Sequence, residues 1–187
     1  MARKRQTNKT PRRQGKSDRL LLVVDMLNGF LDPEGSLYCG DHSRKIVPFV
    51  RKRIEHYNSA GKPVVFICDS HEPKDSEFKV YGKHCVEGTW EADVVPELPT
   101  GDASVLHKKT LSPFYNTQLS AKLRSHNPDV VEVVGVCTDI CVLFSVFELM
   151  ARGYSVEVPR KGVSSFNRPG HNAALKIMRT SLLVSVT

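Results

Sequence analysis

The sequence predicts a three-layer α/β/α domain, in which helices cover both faces of a mostly parallel sheet of six strands. Short apolar runs alternate along the chain with amphipathic stretches of helical length, as in folds built from strand–helix–strand units. The apolar runs are nearly continuous and rich in valine, isoleucine and leucine, which is typical of parallel strands buried on both faces. A chain of 187 residues is also long enough to form one domain with a full core.

Six apolar runs carry the strand prediction, and helices are predicted between most of them. The strands are expected over 20–24, 64–68, 103–107, 130–136, 154–158 and 182–186. The helices are expected over 42–60, 114–125, 140–150 and 169–180. Gly61 marks the end of the first helix, and Pro169 suits the first turn of the last one. Residues 72–101 are polar and irregular, and a loop of that length is usually functional or disordered.

Chemically useful side chains follow four of the predicted strands. Asp25, Asp69 and Lys108 follow the first three, and Cys141 follows the fourth at the start of a predicted helix. The carboxyl ends of parallel strands meet at one edge of the sheet, where open α/β folds place their sites. A thiol at a helix N-terminus is biased towards the nucleophilic thiolate. A buried structural cysteine is the alternative interpretation.

These four positions include a suitable set for acyl transfer. Cys141 would attack a carbonyl carbon, Lys108 would favour its thiolate, and Asp25 would pass the thiol proton to a leaving amine. Backbone N–H groups near Cys141 would receive the developing oxyanion. Spacing alone does not choose between Lys108 and the adjacent Lys109, and either could be an ordinary surface lysine.

A second cluster of candidate ligands begins at the end of the second strand. Asp69 and His71 stand at alternate positions, His84 follows thirteen residues after His71, and Glu77 lies between the two histidines. Carboxylates and imidazoles bind zinc, iron or manganese. The sequence therefore indicates a site for one divalent metal ion, with exposed polar loop residues as the alternative.

The positive charge of the chain is concentrated at its N-terminus. Residues 1–19 contain eight lysines and arginines and one aspartate. This excess of seven equals the formal net charge of +7, so the remaining residues are neutral overall. We expect residues 1–18 to form a disordered basic tail and residues 19–187 to form a single domain. The tail permits nucleic-acid binding by charge, but charge alone reads no sequence, so no specific nucleic-acid partner is expected.

Cysteine usage and hydropathy favour a cytoplasmic protein. The chain contains five cysteines in an ordinary globular composition, which favours reduced thiols over a disulfide framework. No apolar run reaches the eighteen or so residues of a membrane span, and no secretory leader is recognisable. A membrane partner is therefore not expected.

The chain from Leu20 onward resembles the isochorismatase-like cysteine hydrolases, and within them the nicotinamidases, also called pyrazinamidases. The resemblance rests on Gly-Val-Cys-Thr-Asp-Ile-Cys-Val at 135–142, Ser-Pro-Phe at 112–114 and His-Cys-Val-Glu-Gly-Thr at 84–89. It implies a six-stranded parallel sheet and a triad of Asp25, Lys108 and Cys141. It selects Lys108 over Lys109, because the lysine of the family stands four residues before this serine.

The resemblance also implies the geometry around the nucleophile. A cis peptide would join Val136 and Cys137, and the oxyanion would be bound in the turn that contains Cys137 and Cys141. The segment from Ser165 to His171 is similar to the one before the last helix of the family, and His171 is interpreted there as structural.

The resemblance further implies a reaction and a metal. The reaction is hydrolysis of nicotinamide to nicotinate and ammonia through a thioacyl intermediate, a step of NAD salvage. Asp69, His71 and His84 would hold one zinc, iron or manganese ion, with Glu77 bound directly or through water. Relatives are often dimers or tetramers, so a homo-oligomer is expected.

The implied pocket leaves other substrates open. Phe30 and Tyr81 correspond to aromatic walls, whereas Leu111 stands where many nicotinamidases have an aromatic residue. Another small amide or carbamoyl substrate is therefore the alternative, with the same triad. Outside the enzyme class, the chain could be a binding module that uses its basic tail. A redox pair of Cys137 and Cys141 is disfavoured, since the spacing is not Cys-x-x-Cys.

Overall fold

A seven-stranded parallel sheet runs through the computed structural model, which describes residues 18–187. The strands are β1 (Arg19–Val24), β2 (Val64–Asp69), β3 (Ser104–Lys108), β4 (Val130–Val136), β5 (Ser155–Val158), β6 (Val163–Ser164) and β7 (Ser185–Val186). Their order is β3-β2-β1-β4-β5-β7, and β6 pairs with β4. The predicted basic tail lies outside the described residues apart from Asp18.

Seven α-helices connect and cover the strands of the described chain. They are α1 (Asn28–Leu31), α2 (Asp41–Arg44), α3 (Val47–Ser59), α4 (Phe78–Tyr81), α5 (Leu119–His126), α6 (Leu143–Ala151) and α7 (Arg168–Thr180). Single helical turns add Trp90–Ala92, Thr138–Val142 and Arg160–Gly162. Among residues 18–187, no helix has the length and apolar character needed to cross a membrane.

Two hydrophobic cores lie on opposite faces of the sheet. Along β1, Leu21 and Val23 belong to one core together with Ile54 of α3. Leu20 and Leu22 belong to the other core, which includes residues of α5, α6 and α7. This division follows from the period of two in a strand, which sends successive side chains to opposite faces. The predicted three-layer α/β/α fold with a parallel sheet is therefore confirmed.

The strand count and the first helix differ from the prediction. The structure adds β6, a two-residue strand whose pairing with β4 is too short to leave a hydrophobic pattern. The helix expected over 42–60 is divided into α2 and α3, and Pro48 lies in the first turn of α3. Proline has no N–H to give and suits a helix start better than a helix interior.

The helix expected over 114–125 begins only at Leu119. Its first residues are held in a turn instead, because the Ser112 hydroxyl accepts hydrogen bonds from the N–H groups of Phe114 and Tyr115, both at 3.2 Å. Serine side chains compete with helix formation in this way. The turn comes shortly after β3 and fixes the path of the backbone near the carboxyl end of that strand.

β1 and β4 approach each other closely at Gly135. This residue has φ +125, and a Cβ placed on it would lie 1.9 Å from the carbonyl oxygen of Val24. Only glycine fits such a contact and such a backbone angle. The contact brings the ends of β1 and β4 together, so that the residues after them, Asp25 and the Cys137 turn, share one edge of the sheet.

Candidate active site

Four predicted residues converge at the carboxyl edge of the sheet. Asp69 and Lys108 are the last residues of neighbouring strands and are paired in register, whereas Asp25 follows β1 and Cys141 lies beyond β4. All four side chains are buried. One oxygen of each carboxylate and the Cys141 sulfur lie within 4.8 Å of one another. The expectation that strand ends gather these groups is met.

Lys108 lies at the centre of this group. Its Nζ is 2.9 Å from Oδ2 of Asp25, donates a hydrogen bond to Oδ1 of Asp69 and lies 3.6 Å from Sγ of Cys141. The other oxygen of Asp25 accepts a hydrogen bond of 2.8 Å from the backbone N–H of Asp69. Oδ2 of Asp25 faces Lys108 without an aligned hydrogen bond, so it can still accept a proton.

Burial and neighbouring charges shift the pKa values of the two carboxylates in opposite directions. Burial alone would lower the pKa of Lys108, but the charges of Asp25 and Asp69 hold it well above its usual value. Burial and the neighbouring charge of Asp69 raise the pKa of Asp25 to about 7. Burial also disfavours the ionised form of Asp69, but the Lys108 cation holds the pKa of Asp69 below its usual range. Asp25 is therefore the carboxylate suited to exchange a proton near neutral pH.

The expectation that Cys141 is biased towards thiolate is wrong for the protein without substrate. Cys141 lies in the wide turn Thr138–Val142, and α6 begins only at Leu143. Burial raises the pKa of the thiol well above its usual value, although Lys108 opposes the shift. The sulfur therefore carries its proton at rest and needs a base to become a nucleophile.

The turn that contains Cys141 is fixed at both ends. The peptide bond between Val136 and Cys137 is cis, as the resemblance implies. Thr138 Oγ1 is 2.8 Å from Nδ1 of His171 in α7, which agrees with a structural role for that histidine. The Asp139 carboxylate accepts a hydrogen bond from the Ser165 hydroxyl. These contacts were not foreseen from the sequence, because they join segments whose distance along the chain hides their proximity.

The predicted metal ligands also meet. Candidate ligand atoms of Asp69, His71 and His84 lie within 4.8 Å of one another, and all three residues are buried. Nδ1 of His71 is 3.1 Å from the Asp75 carboxylate, and Nδ1 of His84 is 2.8 Å from the carbonyl oxygen of Gly82. These contacts leave both Nε2 atoms facing Asp69, and Nε2 of His71 has no hydrogen-bond partner among the described residues.

That arrangement fits a divalent metal. Metal-binding histidines usually donate one ring N–H to an outer partner and offer the other nitrogen to the ion. Sequence reasoning missed Asp75 as such a partner, although its position four residues after His71 was a usable signal. Glu77 lines the neighbouring pocket and is not part of the three-residue grouping, so of its two predicted modes, direct or through water, binding through water stays the prediction.

A small pocket opens onto Cys141. Its walls include the predicted pocket residues Phe30, Tyr81 and Leu111, and it is also bordered by Asp69 and His84. Further lining residues are Leu37, Glu77, Val136, Cys137, Ile140 and Phe166. The lining is mainly apolar, with acidic and imidazole groups on one side, and contains no lysine or arginine among the described residues. It suits a small, uncharged, flat molecule.

Comparison with known proteins decides the family. The model of the isochorismatase domain matches residues 19–187 of the chain. The chain belongs to the isochorismatase family. The predicted family is thereby confirmed. The predicted enzyme class, an amidohydrolase, is confirmed by the match to this family together with the amidases among the similar solved structures.

Three solved structures illustrate the range of the isochorismatase family. Nicotinamidase PncA from Bacillus subtilis is 27% identical with a TM-score of 0.85, covering 91% of this chain and 99% of its own. N-carbamoylsarcosine amidase from Thermoplasma acidophilum is 32% identical with a TM-score of 0.83, covering 91% and 95%. Pyrazinamidase of Pyrococcus horikoshii in complex with zinc is 28% identical with a TM-score of 0.84, covering 91% and 98%. These relatives are named for different substrates, so family membership alone does not identify the substrate of this chain. The residues of the pocket must decide it.

Proposed function

We propose that the chain hydrolyses nicotinamide to nicotinate and ammonia, a reaction of NAD salvage, with Cys141 as the nucleophile. The proposal rests on one observation, the composition of the pocket. A buried thiol beside an aspartate and a lysine borders the same small, largely apolar space as two members of a metal-type cluster, Asp69 and His84. The carboxamide of nicotinamide needs a nucleophile such as the thiol, and its ring nitrogen can bind a metal ion held by the cluster.

In the acylation half-reaction, Asp25 acts as the base. Its Oδ2 accepts the Cys141 proton while the sulfur attacks the carboxamide carbon, forming the C–S bond. Backbone N–H groups in the turn of Cys137 and Cys141 bind the oxyanion. Protonated Asp25 then gives the proton to the departing nitrogen, so that the C–N bond breaks and ammonia leaves. Lys108 remains a cation throughout and stabilises the thiolate as it forms.

Deacylation uses the same groups in reverse. A water molecule takes the place of ammonia, and Asp25 removes a proton from it as its oxygen attacks the thioester carbon. The C–S bond breaks, the proton held by Asp25 returns to the Cys141 sulfur, and the product leaves as nicotinate after its carboxyl group loses the second water proton to solvent. Because Asp25 has a pKa of about 7, it can hold and release this proton at neutral pH.

Asp69, His71 and His84 would hold one zinc, iron or manganese ion, with Glu77 available from the pocket wall through water. When bound, the ion supplies a Lewis-acid site for the nitrogen of a heteroaromatic ring. The aromatic side chains Phe30 and Tyr81 would stack against that ring.

A carbamoyl compound is the second candidate, and the similarity to N-carbamoylsarcosine amidase favours it. An N-carbamoyl amino acid carries a carboxylate, which proteins normally bind with arginine or lysine. The described lining of the pocket offers neither. An uncharged ring amide therefore fits this pocket better.

The test is ammonia release by the purified full chain from nicotinamide and from N-carbamoylsarcosine. We expect turnover of nicotinamide, and Cys141→Ala should lower kcat by about 10⁴-fold or more, because the thioacyl intermediate can no longer form. The matched control is Cys68→Ala, which removes a buried thiol from β2 and should retain most of the activity.

Two results would contradict the proposal. Faster turnover of the carbamoyl compound than of nicotinamide would reassign the substrate and keep the nucleophile. Equal losses of kcat in Cys141→Ala and Cys68→Ala would show that Cys141 is not the nucleophile.

A further inference from the structure

A second and larger hollow lies beside the catalytic pocket. It is an open cleft bordered by α2, the start of α3, the segment from Arg160 to Arg168 and the start of α7, and its volume is about 830 Å³. Phe166 borders both this hollow and the catalytic pocket. A cleft of this size can hold an organic ligand larger than a single ring.

The walls of the hollow are strongly basic. Lys45, Lys52, Arg160, Lys161 and Arg168 border it, and its described lining contains no aspartate or glutamate. Histidines 42 and 171 add two further nitrogen-bearing side chains. Because residues 20–187 are neutral overall, five cations around one hollow are a local excess of charge.

These cations differ from the other basic residues of the same helices. Arg44 forms an ion pair with Glu97, Arg51 with Glu55 and Arg53 with Glu132. Within residues 18–187, none of the five cations around the hollow forms an ion pair. Their charges are therefore available to a ligand, and a ligand that brings two or more negative charges gains most from them.

The buried part of the hollow is partly apolar, and Ser164 and Ser165 also belong to it. Ile46 and Val163 are almost fully buried, and Phe49 lies with them along the lining. Phe166 stands at the rim with 52% of its surface exposed. An exposed aromatic ring beside cations suits a ligand that combines a flat ring with phosphate groups, because bases stack on aromatic side chains.

We infer that this hollow binds a nucleoside polyphosphate, with the phosphates at Arg160, Lys161 and neighbouring cations and the base at Phe166. A hollow of limited size fits a small ligand better than a polymer, which would need a continuous basic surface. The inference does not depend on the proposed reaction. It predicts binding even when Cys141 is replaced.

The experiment is calorimetric titration of the full chain with ADP, with pyrophosphate and with adenosine. We expect one saturable ADP site per chain, and weaker binding of pyrophosphate and of adenosine, because each supplies only part of the ligand. The double variant Arg160→Glu and Lys161→Glu should weaken ADP binding at least tenfold. Phe166→Ala should weaken ADP binding more than pyrophosphate binding.

The matched control is Lys122→Glu with Arg124→Glu, which makes the same charge change on α5, at a half-buried and an exposed position that do not border the hollow. Equal weakening by this pair would show that only net charge matters and would overturn the inference. It is also overturned if ADP shows no saturable binding, or if pyrophosphate binds as tightly as ADP. Tighter binding of a thymidine oligonucleotide than of ADP, lost in the Arg160 and Lys161 variant, would reassign the surface to nucleic acid.

The titrations with ADP are repeated on Cys141→Ala, which cannot form the thioacyl intermediate of the proposed reaction. Unchanged ADP binding in that variant supports a site independent of catalysis. A failure of the amidase assay with intact ADP binding would count against the proposed function only. Loss of ADP binding in Cys141→Ala would overturn the separate site.

Discussion

At the scale of single residues, Lys108 is the group on which the charge balance of the site depends. It pairs with two buried carboxylates, those of Asp25 and Asp69. Lys108→Met leaves both acids buried without their cation, and removing one partner of a buried ion pair costs about 3–5 kcal/mol of unfolding free energy. We expect the midpoint of urea unfolding to fall accordingly, and ammonia release to be lost.

The neighbouring lysine provides the control for that prediction. Lys109 is exposed and pairs with Glu72 at the surface, so Lys109→Met should change the unfolding midpoint little. Equal destabilisation by the two variants would contradict the central role assigned to Lys108. The same pair of residues shows what the sequence leaves open, because adjacent lysines look alike until one of them is seen to be buried.

A second prediction concerns the metal ligands. His84→Ala removes one imidazole from the buried cluster with Asp69 and His71, and we expect the affinity for zinc to fall more than tenfold. Competition of the protein with a coloured chelator measures this directly, independently of turnover. His56→Ala alters an exposed histidine of α3 and should leave zinc affinity unchanged. Zinc affinity in His84→Ala equal to that of the unaltered chain would exclude His84 as a ligand.

The candidate site was largely predictable at this scale, and the protonation state of its thiol was not. Asp25, Asp69 and Lys108 stand at or just after strand ends, which a sequence pattern reveals. The pKa of Cys141 depends instead on how completely packing removes water from the sulfur, and the burial seen here reverses the expected bias towards thiolate. Burial depends on distant segments, which periodicity does not describe.

At the scale of elements, strands were easier to predict than helix starts. β4 spans Val130–Val136 as expected, because a run of buried β-branched residues has few alternatives. α6 begins at Leu143, three residues after the predicted start, and the residues before it form the turn of Cys141. Ile140 has non-helical backbone angles there. The apolar side chains before Leu143 can pack in a turn as well as in a helix, so the sequence pattern does not show where the helix begins.

The pairing of β1 with β4 can be tested through Gly135. Gly135→Ala places a methyl group against the Val24 carbonyl at a positive φ, so steric overlap and backbone strain should lower the free energy of unfolding by about 3 kcal/mol or more. Gly153→Ala also stands at positive φ but meets open space, and should cost only about 1 kcal/mol. Urea unfolding of both variants measures the difference. Similar costs would mean that backbone angle, and not the close approach of two strands, is the constraint at Gly135.

At the scale of the whole molecule, the candidate catalytic groups and the excess positive charge belong to different parts of the chain. Every catalytic, metal-binding and pocket residue predicted from the sequence lies between Asp25 and Cys141, and the structure adds Phe166 to the pocket wall. The seven excess positive charges belong to residues 1–19, most of which lie outside the described part. Because the two features are separate, deleting the N-terminal residues should weaken any attraction to nucleic acid without affecting the hydrolysis of an amide.

Deleting residues 1–17 tests that independence. We expect kcat/KM for nicotinamide to stay within about twofold of the full chain, because no group of the proposed mechanism is removed. Arg19, the first residue of β1, keeps its ion pairs with Glu132 and Glu157 and so preserves the start of the sheet. Salt-dependent binding to RNA or DNA should weaken in the shortened chain, because seven cations are lost with the deleted residues. A large loss of kcat/KM without loss of folded protein would instead make the N-terminal residues part of the active site.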